Sequence, residues 1–177
     1  MLPRYKTTTA IFHELKKILI KKFKSRVWSL HHLKRNGFSQ PDLVRVYKSM
    51  IRPVAEYCSS VYHTMITKSD SEELEQVPMQ ALKRIYGWQL SYRNLLEKSG
   101  IDRLDTRRKE SFLKIAEKMA GSSRFSTWFP LRLHRRELAP RNAEKYKIYL
   151  ASTERYRKSP LNTMRQALNE INSVNII

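Results

Sequence analysis

Glycine, cysteine and acidic side chains are all scarce in this chain. Only 4 glycines occur in 177 residues, and segments alternating polar with apolar at period two are hard to find, which argues against a sheet protein rich in tight hairpins. Cysteine occurs once, at Cys58. A single thiol excludes an intramolecular disulfide and suits a reducing compartment. No run nears the roughly 18 apolar residues that a membrane-spanning helix needs, because even Ile18-Leu19-Ile20 lies between the pairs Lys16-Lys17 and Lys21-Lys22. The first residues, with Arg4, Lys6 and Glu14, contain no uninterrupted apolar segment and no small-residue cleavage site. These absences predict an intracellular protein, nuclear or cytoplasmic, that is neither secreted nor embedded in a membrane.

The shortage of acid leaves 35 basic residues against 16 acidic ones, a formal net charge of +19. Residues 1–37 hold 10 basic and 1 acidic, 38–87 hold 6 of each, 88–121 hold 8 and 5, and 122–177 hold 11 and 4. The middle is neutral and both ends are basic beyond what solubility asks, the electrostatic footprint of a polyanion partner.

What remains is helical spacing. Ile11, Leu15, Ile18, Leu19, Phe23, Val27, Leu30 and Leu33 form one apolar stripe from near Thr8 up to Gly37, a fitting residue to follow a helix. The opposite face carries Lys16, Lys17, Lys21, Lys24, Lys34 and Arg35, with Lys22 and Arg26 nearer its edges. Ser39 to Asp42 has the spacing of a helix start, as does Ser69 to Glu72; the latter opens a helix to Tyr86 with Leu74, Val77, Ala81, Leu82 and Ile85 inward and a bend expected at Pro78. A short helix over 91–98 ends at Gly100, and another from Asp105 or Thr106 runs to Gly121 with Phe112, Ile115, Ala116 and Met119 inside. Beyond it periodicity fails until a last helix over 160–171. The spacing predicts an all-α protein: a helical bundle over 1–121, then an extended, basic, partly irregular tail over 122–177. Trp28, Tyr47 and Met50 are expected in the core.

The stretch Tyr47 to Tyr57, Y-K-S-M-I-R-P-V-A-E-Y, sets an amphipathic helix against Pro53, which supplies no amide and clashes with the carbonyl four residues back. A kink or restart is expected there, with 54–61 taking a new direction. A helix with a Ser/Asp start followed by Y-K-S-M-I-R-P-V-A-E-Y-C-S-S-V-Y-H resembles the thumb region of reverse transcriptases from non-LTR retrotransposons, of the jockey-like, LINE-type lineage. Lys22 to Gly37, Leu74 to Gly87 and Arg155 to Leu168 look like successive blocks of the same C-terminal region, so the likeness covers nearly the whole chain. It implies a thumb-like bundle that grips RNA or an RNA/DNA duplex and belongs with a fingers-and-palm polymerase part, which in the family precedes these blocks; Met1 starts after it. Two departures stand out. Pro78 occupies a position where such sequences usually carry another residue, which leaves a degenerate copy open, and the zinc-knuckle segment that ends some relatives is missing.

Polymerisation by two metal ions requires carboxylates on adjacent elements, and no such pair is evident; Glu72-Glu73 reads as first-turn acids complementing a helix dipole. No G-x-S-x-G, phosphate-binding glycine loop or H-E-x-x-H motif occurs. Cys58 and His63 read as a core thiol beside a solvent histidine, and His31, His32 and His134 lack a cysteine set for zinc. No catalytic residue, cofactor or metal site is expected. Binding is the chemistry these residues suit: Lys16, Lys17, Lys21, Lys24, Arg26, Lys34 and Arg35 on the first helix, and Arg132, Arg135, Arg136, Arg155, Arg157 and Lys158 in the tail, against phosphates without sequence preference. In the tail, Phe125, Trp128 and Phe129 either stack on bases or anchor the chain to the bundle. A stand-alone basic helical module and a relic reading frame are the competing classes.

Overall fold

The computed structural model describes residues 8–57, 59–131, 145–150 and 152–174, with the side chains of 8–12, 154, 155, 173 and 174 excepted. Among the described residues the fold is all-α, and the only strand-like pairing is one antiparallel bridge, Leu131 to Tyr146. The first helix, α1 (Thr8–Arg35), runs 28 residues without glycine or proline. Gly37 ends it at φ 83°, while the amides of Gly37 and Phe38 return to the carbonyls of Lys34 and Leu33. That left-handed turn is open to glycine and strained for other residues.

Ser39 caps α2 (Gln40–Val46), accepting from the amide of Asp42 as its spacing predicts. The conflict at Pro53 is resolved by a restart of the helix after a wider turn. Residues Tyr47–Ile51 widen into a π turn, in which the Arg52 amide reaches back five residues to the Tyr47 carbonyl, and α3 (Arg52–Glu56) carries helix through Pro53. The direction changes only at Tyr57, whose ψ is 126°. Four-residue steps on an α-helix drift about 40° each, so Leu43, Tyr47, Ile51 and Ala55 would spread over about 120°; one extra residue in a wide turn removes about 100° of that. All four are buried.

After α4 (Ser59–Tyr62), helix α5 (Lys68–Tyr86) is capped two residues earlier than read from sequence. Its cap is Thr67, in a reciprocal box with Asp70, rather than Ser69 with Glu72. Pro78 sits inside α5 without interrupting it, buried beside Val77. Leu74, Val77, Ala81, Leu82 and Ile85 are buried as expected. Ser91 caps α6 (Tyr92–Ser99), Gly100 closes it in the left-handed region at φ 58°, and α7 (Leu104–Ala120) follows. A 3-10 turn (Ser123–Trp128), α8 (Glu154–Arg157) and α9 (Pro160–Val174) complete the described elements.

The described residues divide into two compact units. Residues 8–57, 59 and 65–108 form one; residues 60–64, 109–131, 145–150 and 152–174 form the other, so the boundary falls inside α7. In the first unit, α1 packs against α5 and against the helix that carries the π turn. Glu75, buried on α5, accepts from the Tyr92 hydroxyl and, at 3.1 Å, from the Leu104 amide that opens α7. A carboxylate there serves an otherwise unpaired first-turn amide.

In the second unit, Phe112 and Ala116 of α7 bury together with Phe129, Tyr146, Met164 and Leu168. The expected extended tail therefore contains a core in its own right. Its polar stitching comes from α9: Arg165 donates twice to the Trp128 carbonyl, at 2.9 and 2.6 Å, and the Asn169 amide pairs with both the amide and the carbonyl of Tyr146. Ile115, expected inside, is 38% exposed because the face defined by Phe112 and Ala116 leaves it to the side. Cys58 lies outside the described residues. His63 lies against Phe112 with ring centroids 5.1 Å apart.

Candidate nucleic-acid interface

The basic residues of α1 separate into those turned toward neighbouring helices and those left in solvent. Lys16 belongs to the first group, contrary to its expected place on the binding face. It is buried, and its ammonium lies 2.6 Å from Asp70 and 2.6 Å from Glu73 at the start of α5. The hydrogen bonds to Asp70 and then Glu73 hold the Lys16 amine above its ordinary value, against the opposing effect of burial. Burial alone would raise the Asp70 carboxyl, but hydrogen bonds from Lys16 and Thr67 hold it below the usual carboxylate range. Lys16 thus ties α1 to α5.

Two further candidates also have internal partners. Arg26 donates to the Met50 carbonyl in the π turn, at 2.5 Å. Lys34 reaches the carbonyls of Arg84 and Ile85, at 2.8 and 3.0 Å, at the C-terminal end of α5. A cation in that position satisfies terminal carbonyls and complements the helix dipole.

Lys17, Lys21, Lys24 and Arg35 form the second group. All four are exposed, and none has an ion-pair or hydrogen-bond partner among the described residues. Their spacings of four, three and eleven residues return to one side of the helix, so they form a stripe about 27 Å long at about 1.5 Å per residue. Lys22 is exposed beside it. Like charges held this close in solvent repel one another, and an anionic chain along the stripe relieves that repulsion.

Two apolar residues expected in the core lie in solvent near this stripe. Trp28 and Met50 are each 60% exposed, whereas Tyr47 is buried. Trp28 follows Val27 by about 100° around the helix, which turns it out of the face formed by Leu19, Phe23, Val27 and Leu30. Ile18, in the predicted apolar stripe, is likewise 50% exposed. The sequence did contain a signal for Trp28: it stands four residues after Lys24 and seven before Arg35, in register with the basic positions.

Of the remaining candidates, Arg157 and Lys158 are exposed. The Arg155 side chain and Arg132, Arg135 and Arg136 lie outside the described residues. Among the tail aromatics, Phe129 is buried in the second core and therefore anchors the chain, while Trp128 is 48% exposed with its ring 5.2 Å from Phe125. Sequence reasoning also missed two internal arginines, Arg108 and Arg165, both buried. No spacing rule distinguishes such residues from surface cations, since their partners come from distant segments.

No helix among the described residues is long and apolar enough to cross a membrane. No family model, curated protein or solved structure matches this chain.

Proposed function

We propose that this chain is the thumb-bearing C-terminal part of a non-LTR retrotransposon reverse transcriptase and that it holds RNA or an RNA/DNA duplex by its phosphates, without reading sequence. The observation that carries the binding reading is the stripe of Lys17, Lys21, Lys24 and Arg35, four exposed cations on one face of α1 with no partner among the described residues. The polymerase part of the reading rests on the resemblance alone. On it, nucleotide transfer belongs to the fingers-and-palm part, and this segment grips the duplex as it leaves.

A salt titration tests the grip. Four neutralised phosphates correspond to a log-log slope of about −3.6 on duplex and about −2.8 on a single strand. Replacing Lys17, Lys21, Lys24 and Arg35 together by glutamate is expected to abolish the four-charge component and weaken binding to oligonucleotides of any sequence alike. Affinity that ignores both salt and the fourfold variant would refute the proposal.

A further inference from the structure

We infer that Trp28 and the groove beside it receive an unpaired base of the strand whose phosphates lie along Lys17, Lys21 and Lys24; this rests on the binding reading and narrows its substrate to nucleic acid with a single-stranded portion. The groove encloses about 660 Å³ between α1 and the π turn. Trp28, His32 and Met50 stand at its rim, and Leu33, Val46 and Ile51 lie deeper. The His32 ring meets the Trp28 ring edge-on, with centroids 3.8 Å apart, which holds the indole in place.

Charge decides what fits. Lys21, Lys24 and Arg35 flank Trp28 on its own helix, and Arg26 lines the groove on the Met50 side; the single acidic residue on α2, Asp42, is paired with Arg45. The surface calls for an occupant with a flat apolar ring and a negative charge one step away. A nucleotide has both. Lys24 and Trp28 are separated by about 6 Å along the helix axis, within reach of one nucleotide's phosphate and base. Paired bases keep their faces inside the duplex stack, so only an unpaired or terminal base can lie on the indole.

The experiment compares the full chain on a short single-stranded RNA, the same strand with abasic sites, and a blunt duplex. Trp28→Ala is expected to weaken the intact single strand by roughly 5- to 150-fold, to change duplex binding by less than about twofold, and to leave the salt slope unaltered because stacking neutralises no phosphate. Trp28→Phe should recover most of the loss, Met50→Ala should show a smaller one, and the abasic strand should bind wild type as weakly as the intact strand binds Trp28→Ala. Because Trp28 is largely exposed, thermal melts of the variants should match wild type.

Equal losses on strand and duplex, or an abasic strand that binds wild type as well as the intact one, would overturn the base pocket while the phosphate grip stands. A Trp28→Ala change in sedimentation with no change in base preference would overturn it in favour of a second copy of the chain. No binding of any nucleic acid by wild type would remove both readings.

Discussion

Lys16 and Lys17 are sequence neighbours, but about 100° of helical rotation places one ammonium between two carboxylates and the other in solvent. The Lys16 cluster has a defined pH signature. Asp70 titrates below its ordinary value, so its contribution is complete above about pH 4, where the unfolded carboxyl ionises, and is lost as pH falls through its folded value. Lys16 titrates above its ordinary value, so its contribution is complete below about pH 10 and is lost as pH rises beyond that. Tyr92 and Tyr47, pushed up chiefly by burial, steepen the same alkaline loss. Lys16→Met is expected to destabilise the first unit by about 1–3 kcal/mol near neutrality, leaving Asp70 half-buried without its cation. In thermal melts across pH, the gap between variant and wild type should begin to narrow as pH falls below about 4 and close only once pH has passed the lowered folded value of the wild-type Asp70, where the carboxyl is protonated in both. Its nucleic-acid affinity, measured below the melt, should stay close to wild type.

At the scale of elements, the π turn keeps Leu43, Tyr47, Ile51 and Ala55 on one face despite their strict four-residue spacing. If that is its role, removing one residue inside the wide turn converts it to ordinary helix with little loss of register. Deletion of Ser49, which is exposed, is expected to lower stability by no more than about 1 kcal/mol. Deletion of Arg45, equally exposed but in ordinary helix, rotates everything after it by about 100° and should destroy the cooperative melt. Equal damage from the two deletions would show that the π turn has no such role. Helix ends were the most legible features of the sequence: Gly37, Ser39, Ser91 and Gly100 act where their chemistry places them, because capping involves groups within about one turn. Thr67 outranked Ser69 because both its partners, the Asp70 amide and carboxylate, fit the box together. At Pro53 the expected restart takes the form of a wide turn followed by α3, where a proline in the first turn needs no amide, and at Pro78 the helix continues through a buried proline.

For the whole molecule, +19 net charge gives salt opposite effects on stability and on binding. Screening relieves self-repulsion, so the melting temperature is expected to rise by a few degrees between low and physiological salt, while affinity for a polyanion falls over the same range. Differential scanning calorimetry beside a binding titration checks both signs. At low salt a saturating single-stranded RNA should raise the melting temperature, by about 2.7 kcal/mol of stabilisation at a hundredfold excess over Kd. A melting temperature that falls with added salt would show that specific ion pairs outweigh the net charge.

The sequence by itself determined that this is a helical, basic protein, where most helices begin and end, and which apolar positions could line a core. Periodicity, capping and charge are short-range or summed properties, and they survive without knowledge of partners. Only the tertiary structure decided that Lys16 turns inward and Lys17 outward, that Trp28 and Met50 face solvent, and that the end of α7 joins Phe129, Tyr146, Met164 and Leu168 in a second core. An amphipathic helix has flanks as well as faces, and the fate of a flanking residue depends on which distant segment packs there. Asp70 and Glu73, more than fifty residues away, determine the role of Lys16.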